Sequence, residues 1–87
     1  MEHIYNTHGT CSKQIIIETD DANKTIERVV FIGGCAGNTS GISSLVQGMP
    51  ISDVISRLEG IRCGMRPTSC PDQLSRALRE IEEKQIN

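Results

Sequence analysis

The sequence predicts an α+β fold: a small antiparallel sheet, made of a hairpin and a candidate edge strand, with about three helices packed on one face. Three observations predict it. Two runs rich in β-branched residues are separated by turn residues. Three later segments space their apolar residues at helical intervals. Glycine, proline and capping residues punctuate the boundaries between them.

The elements follow in order. A short strand near His3–Thr7 is expected to pair on the edge of the hairpin. Lys13–Glu18 (KQIIIE) reads as the first hairpin strand, Asp20–Lys24 as turn chemistry, and Thr25–Ile32 (TIERVVFI) as the second strand. Strict alternation places Ile26, Arg28 and Val30 on one face of that strand, and Glu27, Val29 and Phe31 on the other. Gly33-Gly34 ends the strand and presents Cys35 at a strand-to-helix turn, where Asn38, Thr39 or Ser40 can cap the next helix. Ile42, Leu45, Val46 and Met49 give that helix an apolar face, and Gly48 suits its end. Pro50 opens a second helix with Ile51, Val54, Ile55 and Leu58 as its stripe, ending at Gly60. A loop with Cys63 follows. Ser69-x-x-Asp72 then matches a capping pattern, with Pro71 in the first turn of a last helix lined by Leu74, Leu78 and Ile81.

The 87 residues make a single domain, 1–87, with no repeat and no linker. Tyr5 and Phe31 are the only aromatic rings, so the core must be aliphatic and thin. Domains of this size often add a metal, a disulfide or a partner subunit. The net charge is −2, with both signs interspersed and no basic stripe, which argues against a direct nucleic-acid surface. No stretch has the length of a membrane span, and residues 1–6 lack the apolar core of a signal peptide. A cytoplasmic location is therefore expected, and with it reduced thiols.

That expectation bears on the four cysteines, Cys11, Cys35, Cys63 and Cys70. No two of them form C-x-x-C, so the commonest zinc-ribbon signature is absent, and buried apolar thiols are the plain alternative. Position favours chemistry. Cys35 and Cys70 both fall at expected helix starts, where partial positive charge and unpaired N–H groups stabilise a thiolate. Arg62 and Arg66 flank Cys63. In a hairpin the start of the first strand lies beside the end of the second, which brings Cys11 toward Cys35. Four converging thiolates would suit tetrahedral Zn²⁺, with an iron–sulfur cluster as the alternative. His8, close to Cys11, is a substitute ligand, although a surface histidine is the plainer reading. No set of acid, base and nucleophile can be assembled. Gly33-Gly34-Cys35-Ala36-Gly37 matches neither G-x-x-x-x-G-K-[ST] nor G-x-G-x-x-G.

The segments Phe31–Asn38, Gly41-Ile42, Leu45, Gly48-Met49, Gly60–Gly64 and Thr68-Ser69-Cys70-Pro71-Asp72-Gln73-Leu74 resemble the TSCPD domain, whose naming pentapeptide is intact. The resemblance runs from Gly9 to Leu78. It implies a link to ribonucleotide reductases, especially adenosylcobalamin-dependent ones, which carry such a domain at the C-terminus. A complete reductase needs a radical-generating cofactor and a barrel of several hundred residues. The resemblance thus implies an accessory, regulatory or metal-binding module, with a ribonucleotide reductase or a second copy of the chain as partner. The layout is also similar to NifU-like iron–sulfur scaffolds. It departs from them by having Cys11 and by lacking a cysteine between the second helix and the Cys63 segment. A metal-free interaction domain with buried thiols is the remaining reading.

Overall fold

Alternating side chains decide which surface of the hairpin is covered. The computed structural model describes residues 1–10, 12–34 and 36–86. Three strands, β1 (Glu2–Asn6), β2 (Ser12–Thr19) and β3 (Ile26–Gly33), form one antiparallel sheet in the order β1-β2-β3. They are followed by α1 (Ala36–Val46), α2 (Ile51–Leu58) and α3 (Cys70–Ile86). The α+β architecture and the edge position of β1 are as the sequence predicts.

Helices cover one face of the sheet. Ile15, Ile17, Ile26 and Val29 meet Val46 of α1, Ile51, Val54 and Ile55 of α2, and Leu74, Ala77, Leu78 and Ile81 of α3 in a single buried cluster. Leu74 and Leu78 are fully buried, and each such side chain contributes about 1.5–3 kcal/mol of hydrophobic stabilisation. Tyr5 and Phe31 pack on the rim of this aliphatic core.

Two details differ from the simple pattern. The β2–β3 register shifts between Glu18 and Thr19, so that Arg28 pairs with Glu18 and Ile26 with Thr19. Glu27 is the extra residue, and such a bulge reverses the alternation around it. Ile26 therefore faces the core with Val29, while Arg28 and Val30 face away, contrary to the strict alternation. In α1, which ends at Val46, Val46 is buried but Leu45 is 77% exposed, so the predicted four-residue stripe is split.

The α1–α2 connector is fastened to the start of β3. Gly48 N–H donates to Ile26 O (2.8 Å), Ile26 N–H to Met49 O (3.0 Å) and Ile51 N–H to Lys24 O (2.8 Å). Pro50 consequently sits as the N-cap in extended conformation, one place before the first helical residue. Among the described residues no helix is long and apolar enough to cross a membrane.

Candidate functional site

The start of α3 is where the chain draws its loops together. Ser69 caps the helix as predicted: its Oγ accepts Asp72 N–H (3.2 Å) and donates to Ile61 O (2.7 Å). Asp72 does more than complete a capping pattern. Its carboxylate accepts the Thr68 hydroxyl (2.5 Å), the Gly60 N–H (2.8 Å) and Arg76 Nε (3.1 Å). Burial pushes this carboxyl up, but the Thr68, Gly60 and Arg76 donors outweigh it and hold the group below the ordinary carboxylate range.

Thr68 and Gln73 extend the network in the other direction. Thr68 Oγ1 accepts Gln73 Nε2 (3.0 Å), and Gln73 Oε1 accepts the backbone N–H of His8 (3.0 Å). A continuous chain of donors and acceptors thus runs from His8 through Gln73 and Thr68 to Asp72 and Gly60. Both the segment before β2 and the segment after α2 are tied to the first turn of α3. The Cys63 N–H also donates to Thr68 O (3.2 Å), closing the loop on itself. Thr68, Ser69, Asp72 and Gln73 are buried, and among the described residues no buried side-chain N or O lacks a partner.

Cys70 is the first residue of α3 and is buried; its sulfur lies 3.2 Å from the Ser12 hydroxyl. Cys63 is exposed. The two cysteines line one cleft of about 260 Å³ together with Thr10, Asn38, Arg66, Ser69 and Pro71. Ser12 in turn pairs with Gly33 across the sheet, and Gly33 and Gly34 take positive φ values of 79° and 85° to turn the chain toward α1. Gly9 also has positive φ (74°), and a Cβ there would stand 3.1 Å from Thr68 Cγ2.

Of the four thiols expected as ligands, Cys63 and Cys70 are therefore brought to one cleft. Cys11 and Cys35 lie outside the described residues, and the four-thiol arrangement with them. Among the described residues no group of three or more His, Cys, Asp or Glu side chains is arranged to hold a metal. The His8 side chain is exposed, and only its backbone joins the network. His3, unassigned from the sequence, meets Asn23 Oδ1 (3.1 Å) and Thr19 Oγ1 (3.3 Å) far from the cleft.

Sequence reasoning overlooked Ser12, Thr68 and Gln73. One signal was legible: Thr68 and Asp72 stand four apart around a capping serine, the spacing at which side chains meet at a helix start. The His8–Gln73 and Ser12–Cys70 meetings had none, since they join residues far apart in the chain.

Comparison with known proteins gives one positive finding: the family model described as the TSCPD domain matches residues 3–82. No curated protein and no solved structure gives a significant match.

Proposed function

Because the chain belongs to the TSCPD domain family, we propose that it is a cysteine-ligated metal-binding module, with Zn²⁺ held by Cys11, Cys35, Cys63 and Cys70. It acts as an accessory or regulatory module and not as a complete reductase. The observation that carries this reading is the cleft shared by Cys63 and Cys70. Its wall includes Thr10, the neighbour of Cys11, and Asn38, in the first turn of the helix that follows Cys35. The Ser12–Gly33 pairing adds to this, since it joins the immediate surroundings of the same two cysteines. Thiolates are suited to Zn²⁺, and structural zinc sites are closed and four-coordinate.

A hydrogen-bonded support lies next to Cys63 and Cys70. The Thr68–Asp72–Gln73 network holds the Cys63 loop and the residues before Cys11 in place with buried hydrogen bonds. Metal sites need such outer partners to orient their ligands. A ribonucleotide reductase is the partner that the family resemblance proposes.

Elemental analysis of protein purified anaerobically, without a metal-affinity tag, tests the reading. One zinc per chain is expected, with all four thiols shielded from alkylation until a chelator is added. A folded protein containing no stoichiometric metal overturns it. A brown protein with visible absorbance after anaerobic reconstitution replaces zinc by an iron–sulfur cluster on the same thiols.

A further inference from the structure

The face of the sheet turned away from the helices departs from the usual polar-out pattern of antiparallel sheets. The register arranges it in three rows. Glu2, Glu18 and Arg28 lie side by side at one end, Ile4, Ile16 and Val30 across the middle, and Asn6, Gln14 and Ile32 at the other end. Ile4 of the middle row is 61% exposed and Ile32 of the amide row 40%; Ile16 and Val30 are half-buried, and Val30 borders Thr39, Ser40 and Ser43 of α1 at the β3 edge. One end bears carboxylates and the other bears amides, with an aliphatic band between them.

From this we infer that the outer face of the sheet docks a second copy of the chain, sheet on sheet, about a two-fold axis perpendicular to the strands. That axis lays the aliphatic band of each copy on the band of the other. It sets the Glu2 and Glu18 carboxylates over the partner's Asn6 and Gln14 amides. Gln14 Nε2 already donates to Asn6 Oδ1 (3.0 Å), which leaves the Asn6 amide N–H groups as donors toward an incoming carboxylate. Arg28 is neutralised by Glu18 (2.6 Å), and its stem covers the partner's Ile32. The other two-fold axis, parallel to the strands, would stack Glu18 on Glu18 and gather four carboxylates around two guanidinium groups. It would also pair Glu2 with the partner's Arg28, but the Glu18–Glu18 contact and the excess of carboxylates in that row disfavour it.

The size of the face sets the strength of the contact. Three strands and five residues span roughly 15 by 17 Å, so each copy covers only a few hundred Å². A standard stable interface takes about 800 Å² per partner, so the dimer is weak and forms at high micromolar concentration.

The test is NMR dilution from about 1 mM to about 10 μM together with sedimentation velocity, with a thiol reductant present so that linkage through Cys63 is not counted. Concentration-dependent shifts at the amides of Ile4, Ile16, Val30 and Ile32 are expected, with and without Zn²⁺. The proposal is thus separable from the metal reading. Ile16→Lys, checked for folding by circular dichroism, is expected to raise the dimer Kd at least tenfold, as is Ile4→Glu on the edge strand. Leu45→Lys, on the exposed side of α1, is expected to leave it unchanged. In a mixed-label sample, Ile4–Ile4 and Val30–Val30 contacts between copies support the stated axis, whereas Ile4–Val30 contacts overturn it. A protein that stays monomeric at the highest concentration, or whose shifts fall on α1 and α2, overturns the proposal.

Discussion

The hydroxyl of Ser12 meets the sulfur of Cys70 at 3.2 Å, joining the first residue of β2 to the first residue of α3. Cys70 is buried, whereas Cys63, which lines the same cleft, is exposed. Reduced, chelator-treated protein should therefore alkylate at Cys63 first and at Cys70 at least about tenfold more slowly, because a buried thiol reacts through local opening. Ser12→Ala should narrow the difference. Peptide mapping by mass spectrometry after timed alkylation measures both rates, and equal rates in the unsubstituted protein would contradict the structure.

Asp72 is the anchor of the loop network. Asp72→Asn keeps the size but loses the charge that draws the Thr68, Gly60 and Arg76 donors, and is expected to cost about 2–3 kcal/mol. Arg76 is itself more than half exposed, so Arg76→Ala should cost less than about 1 kcal/mol. Urea unfolding of the two variants should rank them in that order; the reverse order would show that the ion pair, not the buried network, stabilises the loop.

Two glycines should respond oppositely to alanine. At Gly9 the positive φ and the 3.1 Å approach to Thr68 Cγ2 make Gly9→Ala destabilising by about 1–2 kcal/mol. Gly41 lies inside α1, where an added Cβ meets nothing within 4 Å, so Gly41→Ala should stabilise by up to about 1 kcal/mol. Thermal unfolding of both variants checks the signs.

Asp20 supplies an acid-dependent contribution at the hairpin turn. Its carboxylate accepts the N–H groups of Lys24 (2.8 Å) and Thr25 (3.2 Å), and these bonds, Lys24 first, hold its pKa below 3.8. The folded form thus binds the proton less readily than the unfolded chain. The stabilisation is fully present above pH 3.8 and is lost as pH falls through the lower folded value. NMR titration of the Asp20 carboxyl should give a midpoint below 3.8, and Asp20→Asn should flatten the acid limb of the stability curve. A midpoint at or above the ordinary value would refute the turn geometry.

The elements were legible where local chemistry repeats. The β-branched runs marked β2 and β3, and Ser69 marked the start of α3 because a hydroxyl at that place accepts the N–H three residues on. The inward turn of Ile26, away from the face of Arg28 and Val30, was not legible. It depends on a bulge opposite Glu18 and Thr19, which no alternation rule reveals. Nor was the second role of Asp72, whose partner Gly60 lies beyond the loop.

The sequence by itself determined the secondary structure, the aliphatic core and the family motif, because periodicity, capping and turn residues act over a few neighbouring positions. Only the tertiary structure decided what that motif does. Ser69, Asp72 and Gln73, the last two joined through Thr68, bind Ile61, Gly60 and His8, segments that reach α3 only once the sheet and helices have packed. Packing likewise set Cys63 and Cys70 on one cleft and put Ile4, Ile16, Val30 and Ile32 on the face of the sheet away from the core. The physical reason is the same for both. Which side chains meet across the fold depends on strand register and on the burial of apolar surface, and neither can be read from residues adjacent in the chain.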